Sequence, residues 1–323
     1  MSTPLLQVND LKKHYVSGRS IIGKSRAVRA VDGVSFVIDR GETLALVGES
    51  GCGKSTVGKA VLRLFDITEG QILLDGKRID DLPEQALRPL RRRLQVVFQD
   101  PFSSLNPRLT VGEAIGEPLR NFGLVCGRAD SRRKIAEILD RVRLPEGAAG
   151  RYPHEFSGGQ RQRIGIARAL APSPDLIVCD EAVSALDVSV KAQIINLLKD
   201  LQSELGMALL FISHDLAVVE NISHRIAVMY LGKIVEMAAK TQIFTKPRHP
   251  YTQALLSAVP IPDPDAKRER IILRGDVPSP SAPPPGCHFH TRCPYAFDRC
   301  RKEEPVLRRI QSGHLAACHL AED

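Results

Sequence analysis

The sequence predicts an α/β fold in which crossover helices connect a largely parallel sheet. Short apolar runs, such as residues 44–47 and 176–179, alternate with helices that carry apolar residues at i, i+3 and i+4 spacing. Near the amino terminus, residues 31–40 and 70–74 have the pattern of strands, and turn sequences follow both of them. These two strands predict a small antiparallel β region beside the main sheet.

The length and the proline distribution predict two domains. A chain of 323 residues that is 43% hydrophobic can bury an α/β core and still supply a second small domain. Ten of the 22 prolines lie between Pro247 and Pro285, a density that we expect to exclude regular helix and central strand. We therefore predict one domain over residues 1–245, with a helical insertion at about 100–165, and a second over residues 246–323, with a proline-rich linker and a cysteine tail.

Composition excludes several classes of protein. No apolar run approaches the roughly 18 residues of a membrane span, and no signal-like segment is present, so a cytosolic chain is expected. The net charge is +8, but basic residues are scattered apart from Arg91–Arg93, Trp is absent and Tyr occurs 5 times, which does not favour nucleic acid. Seven cysteines without an export signal argue against disulfides and for a metal or iron-sulfur centre wherever they cluster.

A glycine-rich stretch, GESGCGKST, follows the apolar run 44–47 and precedes a helical pattern. A strand, a glycine turn and a helix start aim backbone N–H groups and a helix dipole at one point, which suits a polyphosphate. The alternative, a surface glycine turn, is less favoured because the strand and the helix are both in place. We expect Lys54 to reach the β and γ phosphates of ATP and the Ser55 hydroxyl to bind Mg²⁺. The predicted loop consists of Gly48, Glu49, Ser50, Gly51, Cys52, Gly53, Lys54, Ser55 and Thr56.

A second motif, LIVCDE at residues 176–181, is an apolar strand that ends in two carboxylates. Side chains alternate along a strand, so the two carboxylates are expected to have different roles. Asp180 would hold Mg²⁺ through its water shell, and Glu181 would accept a proton from the attacking water. The alternative, an acidic turn after a core strand, is less favoured because a phosphate-binding loop lies upstream.

A third motif, FSGGQ at residues 156–160, predicts a helix start with Ser157 as N-cap and Gln160 completing a capping box. Gly158 and Gly159 would leave the first N–H groups uncovered, so a phosphate could bind there. An ordinary capped helix is the alternative. The two glycines count against it, because each costs about 1 kcal/mol relative to alanine in a helix.

Three single residues complete the candidate site. Gln99 follows an apolar run and could reach Mg²⁺ or the attacking water, and His214 follows the apolar run 209–212 and could contact the γ phosphate. Taken alone, each is more often a surface polar residue than a ligand. Tyr15 could stack on a purine or pack under the β region.

Taken in order and spacing, these motifs and Ser184-Ala185-Leu186-Asp187 resemble those of ATP-binding cassette (ABC) ATPases over residues 5–240. The resemblance implies a P-loop NTPase with a RecA-like core, in which two cassettes enclose two ATP molecules head to tail. Ser157–Gln160 would then serve the nucleotide of the partner subunit. The resemblance further implies adenine stacking by Tyr15, a sensor loop at Gln99, a catalytic base at Glu181, a dimer contact at Asp187 and a γ-phosphate switch at His214.

Three further segments resemble the ATPases of bacterial oligopeptide and dipeptide importers: residues 99–115, 249–260 and 274–300. That resemblance implies a homologous second ATPase, two membrane permease subunits and a periplasmic or extracellular solute-binding protein, at the cytoplasmic face of the inner membrane. The helical insertion and the loop at about 100–109 would receive helices of the permeases. Ala182 departs from the proline that many cassettes carry after the glutamate, but both carboxylates remain.

Three alternatives stay open at this point, one of which is that the tail is a redox or metal sensor and the ATPase activity is secondary. The solute could be nickel, haem or glutathione instead of peptide. A soluble cassette protein acting on nucleic acid usually carries two cassettes or a coiled-coil insertion, and the sequence shows one copy of each motif and no such insertion.

The cysteines of the tail follow the spacing C-x5-C-x6-C-x17-C at Cys287, Cys293, Cys300 and Cys318. Four thiolates suit either a [4Fe-4S] cluster or a Zn²⁺ ion, and the tail has little apolar core of its own. Free thiols are the alternative. The resemblance to the importer ATPases favours the cluster, which would order the tail against the partner ATPase.

Overall fold

The computed structural model describes residues 3–16, 27–100, 104–259 and 270–322. Within these ranges the chain forms two compact units. The P-loop unit comprises Leu6–Val37, Leu44–Asp80 and Ser213–Asp323. The helical unit comprises Met1–Leu5, Ile38–Thr43 and Asp81–Ile212.

The strands of the two units are numbered in chain order. They are β1 Leu6–Val16, β2 Ala27–Ile38, β3 Thr43–Val47, β4 Glu69–Leu74, β5 Lys77–Arg78, β6 Leu94–Val97, β7 Leu176–Asp180, β8 Ala208–Ser213, β9 Arg225–Tyr230, β10 Lys233–Ala239, β11 Arg308–Gln311 and β12 His314–Ala316.

The α-helices are numbered in the same way. They are α1 Lys54–Val61, α2 Glu84–Arg91, α3 Val111–Asn121, α4 Gly127–Arg141, α5 Gly158–Leu170, α6 Val188–Leu205, α7 Leu216–Ile222, α8 Lys240–Thr245, α9 Pro250–Ser257 and α10 Asp298–Lys302. None of the helices in the described ranges is both long enough and apolar enough to cross a membrane.

The antiparallel region expected near the amino terminus is present in the P-loop unit. Its strand order is β2-β1-β4-β5, with β1 and β4 antiparallel. Leu6 faces Leu74 and Val8 faces Ile72, and all four side chains are buried. This alternation of buried and more exposed positions is the pattern of a sheet with one face on a core.

A second sheet in the P-loop unit carries the glycine loop. The fully buried β3 runs parallel to β9, and β9 is followed by the antiparallel order β10, β12, β11. The tail therefore does not rely on a core of its own, because β12 pairs with β10 through Glu236 opposite Ala316 and Met237 opposite Leu315. That pairing satisfies backbone groups that an edge strand would otherwise leave open.

The helical unit contains the parallel strands β6, β7 and β8. All residues of β7 before Asp180 are buried, as are all residues of β8, which is typical of a parallel sheet covered on both faces. Helices α3 and α4 and the start of α5 lie within the helical insertion that the sequence predicts at about residues 100–165.

One local expectation is wrong. Helix α9 lies inside the proline-dense stretch that we expected to exclude regular helix. It is possible because Pro250 occupies the first turn, where its missing N–H needs no partner, and because the Nδ1 of His249, the N-cap, accepts a hydrogen bond from Tyr251 N–H at 3.0 Å.

Candidate functional site

The glycine loop of residues 48–56 has a backbone that only glycine can adopt at two positions. Gly48 has a φ of 152° and Gly53 a φ of 107°. A Cβ atom would lie 2.3 Å from the carbonyl oxygen of Met229 at the first position and 2.2 Å from that of Ala30 at the second. The loop therefore packs its backbone directly against neighbouring backbone, and a side chain at either glycine would displace it.

Helix α1 begins at Lys54, inside this segment, with Gly53 as its N-cap. Gly53 has no side chain that could cap the helix, so no N-cap side chain covers the first N–H groups. Together with the positive end of the helix dipole, these groups suit an anion, so the loop fits the polyphosphate predicted from the sequence.

Lys54 is buried and folds back over the loop. Its Nζ donates to the carbonyl oxygens of Gly48 at 2.8 Å and of Glu49 at 2.9 Å. Cys52 beside it is also buried, and burial raises the pKa of its thiol. The ammonium group is thus held at the centre of the loop, with a neutral thiol next to it.

Two residues far along the chain contact the same loop, and sequence reasoning did not identify either as a site residue. The Oη of Tyr251 accepts a hydrogen bond from the N–H of Glu49 at 2.8 Å. Arg292 donates through Nη1 and Nη2 to the Glu49 carboxylate, at 2.6 and 3.0 Å. The only signal in the sequence was the position of both residues in the segments that resemble peptide-importer ATPases.

The two remaining P-loop-unit candidates are exposed. Tyr15 is 43% exposed near the end of β1, and its ring meets Phe65 edge to face with 6.1 Å between centroids. The ring packs on one neighbour and still presents surface on which a purine could stack. His214 follows β8 and is exposed.

In the helical unit, Asp180 and Glu181 stand at the carboxyl end of β7. Glu181 has a φ of 50°, a left-handed conformation that a non-glycine residue rarely adopts. Its N–H donates to Ile212 O at 3.0 Å, and its carbonyl accepts from the N–H and the Oγ of Ser184, both at 3.0 Å. The backbone is therefore fixed on both sides of a strained residue, a combination that is common at functional sites.

The capping box at Ser157 is confirmed. Ser157 Oγ accepts from Gln160 N–H at 3.3 Å, and Gln160 Oε1 accepts from Ser157 N–H at 3.0 Å. At Gly159, close packing also favours glycine, because a Cβ there would lie 2.5 Å from Cγ1 of Val190.

The other helical-unit candidates are at the surface. Gln99 is exposed two residues after β6, and Asp187 is exposed at the N-cap of α6. The loop predicted to meet the permeases, residues 100–109, includes positions 101–103, which lie outside the described residues.

The thiols of the four tail cysteines, Cys287, Cys293, Cys300 and Cys318, interact electrostatically with one another. Cys287 N–H donates to Cys300 O at 2.9 Å, and burial raises the pKa of the Cys287 thiol to about 11. Across the described ranges, however, no three His, Cys, Asp or Glu residues are grouped in a way that could hold a metal ion. The structure therefore gives no support for the expected [4Fe-4S] cluster or zinc ion, and neither enters the mechanism.

The glycine loop, with its buried lysine and uncapped helix, places the protein in the class of P-loop ATPases. Comparison with known proteins agrees. A family model described as ABC transporter matches residues 31–184, and one described as the C-terminal region of oligopeptide/dipeptide transporters matches residues 235–300.

Two similar sequences span nearly the whole chain. A probable peptide ABC transporter ATP-binding protein of Sinorhizobium fredii is 56% identical over 99% of this chain and 91% of its own length. The oligopeptide transport ATP-binding protein AppF of Bacillus subtilis is 52% identical over 98% of this chain and 97% of its own length.

Among solved structures, the ATP-binding cassette MJ0796, described as a dimer bound to ADP and Pi, matches with a TM-score of 0.65 and 32% identity. The match covers 73% of this chain and 98% of that one. The chain therefore belongs to the ABC transporter family, as one of its ATP-hydrolysing cassettes.

Proposed function

We propose that this chain is the ATP-hydrolysing subunit of a bacterial importer of dipeptides or oligopeptides. The observation that carries the proposal is the loop in which Lys54 is buried and bonded to two loop carbonyls in front of an uncapped helix. The peptide class is supported by the match of residues 235–300 and by relatives that are named for peptide or oligopeptide transport.

The site residues have the following roles in this proposal. The loop amides and Lys54 bind the β and γ phosphates, and Tyr15 stacks on the adenine. Ser55, Asp180 and Gln99 would hold Mg²⁺, whose charge stabilises the phosphate oxygens when it is bound. Glu181 accepts the proton of the attacking water, and His214 contacts the γ phosphate.

A second cassette completes the site. Ser157, Gly158, Gly159 and Gln160 serve the γ phosphate of the nucleotide on the partner, to which Gly158 and Gly159 present N–H groups that no side chain covers, and Asp187 makes a dimer contact. The family supports this arrangement, and the capping box supplies the rigid helix start that it requires. ATP binding closes the two cassettes and hydrolysis reopens them.

We further propose the partners and the location. The second cassette is a homologous but different ATPase. Two membrane permease subunits receive the closing motion, and a periplasmic or extracellular solute-binding protein delivers the peptide. The chain works at the cytoplasmic face of the inner membrane.

Peptide uptake tests the proposal. Cells that depend on this chain for a labelled dipeptide or oligopeptide should lose uptake when Lys54 is replaced by Ala and keep it when the exposed Lys59 is replaced by Ala. Uptake of a free amino acid is the control for general transport. Loss of nickel, haem or glutathione uptake with intact peptide uptake would assign a different solute, and co-sedimentation with nucleic acid but not with membranes would contradict import.

The metal centre of the tail stays a prediction that only metal analysis decides. Anaerobically purified protein with stoichiometric iron and visible absorbance, both lost on Cys293→Ser, would support the cluster. Colourless protein without iron or zinc would count against both metals.

A further inference from the structure

Glu49, the second residue of the glycine loop, is held from the C-terminal part of the P-loop unit. Tyr251 and Arg292, which contact it, lie 202 and 243 positions away in the sequence. Their contacts involve two different parts of Glu49, the backbone N–H and the carboxylate. The C-terminal region therefore constrains both the backbone and the charge of one loop residue.

Both contacting side chains are themselves fixed by packing. The Tyr251 ring is fully buried, with its centroid 4.8 Å from that of Tyr230 and 5.4 Å from that of Phe289. The Arg292 side chain is 8% exposed, and its guanidinium carbon lies 5.9 Å from the Tyr230 ring centroid. Immobilised side chains can position a partner without a further loss of conformational freedom.

The same loop residue connects these contacts to Lys54. The N–H of Glu49 is held by Tyr251, and its carbonyl oxygen is one of the two carbonyl acceptors of the Lys54 ammonium. A displacement of Glu49 would therefore move an acceptor that fixes the lysine. Phosphate-binding groups lose affinity when they are misplaced, because the binding energy must then also reorder them.

The charge of Glu49 is a second reason why its contacts affect phosphate binding. A carboxylate in a loop that binds a triphosphate would repel it, and like charges oppose binding most strongly where water is partly excluded. Arg292 engages this carboxylate with two charge-assisted hydrogen bonds, and the fork geometry turns both oxygens toward the guanidinium. The ion pair thus removes an electrostatic cost from the site.

We propose that Arg292 and Tyr251 are positioning residues of the phosphate-binding loop: Arg292 neutralises and orients the Glu49 carboxylate, and Tyr251 fixes the Glu49 backbone that Lys54 uses. The inference rests on the proposed role of the loop in ATP binding. It makes the C-terminal region part of the nucleotide site of its own chain.

Affinity for a non-hydrolysable ATP analogue in the presence of Mg²⁺ tests the proposal on the full-length chain. Arg292→Gln should weaken binding about tenfold, and Tyr251→Phe, which keeps the ring, should weaken it about fivefold. Arg292→Lys should fall between wild type and Arg292→Gln, since it keeps the charge and loses the fork. Glu49→Gln in the Arg292→Gln background should recover most of the lost affinity, because it removes the unpaired charge.

The matched control is Arg299→Gln, which breaks an exposed pair with Glu303 in the same tail and should leave the affinity unchanged. The melting temperature without nucleotide is measured for every variant, because a purely structural role would lower it without the rescue by Glu49→Gln. Wild-type affinity in a folded Arg292→Gln variant, or no recovery in the double variant, would overturn the proposal. If Arg292→Gln does not fold, the affinities of Arg292→Lys and Tyr251→Phe test the proposal, and wild-type affinity in both would overturn it. Absence of binding by the wild type would instead refute the ATP site itself.

Discussion

The Nε2 atom of His314 lies 2.7 Å from Oε1 of Glu236, and both side chains are fully buried. The same carboxylate accepts the backbone N–H groups of Arg248 at 2.7 Å and of His249 at 2.9 Å. Glu236 in β10 therefore joins β12 of the tail to the segment that enters α9. Polar atoms buried in this way stabilise a fold only while all of them are paired.

Replacing Glu236 with Gln should lower the free energy of unfolding by about 2–3 kcal/mol. The amide offers one oxygen and an NH₂ group, so at least one backbone N–H would lose its acceptor in a buried site. Urea denaturation measures the change. Glu304→Gln, which breaks an exposed pair with Lys233, is the control and should change stability by less than about 1 kcal/mol. Equal effects of the two substitutions would contradict the assigned importance of the buried pair.

Replacing Glu181 with Gln should abolish most hydrolysis and preserve nucleotide binding. The amide keeps the size of the side chain but cannot accept the proton of water, and general bases contribute about a hundredfold to ten-thousandfold to a rate. Phosphate release measures the rate, and gel filtration with the companion ATPase and ATP should show a stable pair of cassettes. Glu204→Gln at an exposed position of α6 is the control. Unchanged turnover in Glu181→Gln would remove this residue from the role of base.

Replacing Lys54 with Ala should weaken ATP binding by at least about tenfold. The substitution removes the ammonium group and its hydrogen bonds to Gly48 and Glu49. Calorimetric titration gives the dissociation constant. Lys59→Ala on the exposed side of α1 should bind like wild type, and a similar loss in both variants would point to general electrostatics instead of a direct phosphate contact.

Stability should fall as the pH decreases from 7 to 5, partly because of His249. Burial lowers the pKa of His249 to about 3, whereas an unfolded histidine titrates near 6.5. Between these values the unfolded chain binds a proton that the folded chain does not, so stability is greatest above about pH 6.5 and is lost as the pH falls toward 3. For this residue the loss between pH 7 and pH 5 is about 2 kcal/mol.

His249→Asn isolates this contribution, since Asn can still cap α9 by accepting the Tyr251 N–H but does not titrate. Its urea midpoint should depend less on pH than that of the wild type. The same pH dependence in both proteins would show that the proton is taken up elsewhere in the unfolded or folded chain.

Local sequence patterns determined a large part of the candidate site. The glycine loop, the paired carboxylates at the end of β7 and the capping box at Ser157 depend on residues that are close together in the chain, so spacing and residue type could predict them. The capping box formed as expected, and the antiparallel region appeared where alternating residues and turn sequences indicated it. Where local rules compete, the sequence pattern can predict the wrong structure. Helix α9 formed despite its proline-rich surroundings, which we expected to exclude it.

Only the tertiary structure decided which distant segments meet. Pairing of β12 with β10, the burial of Glu236 with His314 and the contacts of Tyr251 and Arg292 with Glu49 join positions separated by tens to hundreds of residues. The periodicity of the sequence does not predict such contacts. They depend on how strands and loops pack in three dimensions, where the backbone groups at each sheet edge need hydrogen-bond partners. The sequence alone thus determined the chemistry of the loop, and the packing determined what holds it in place.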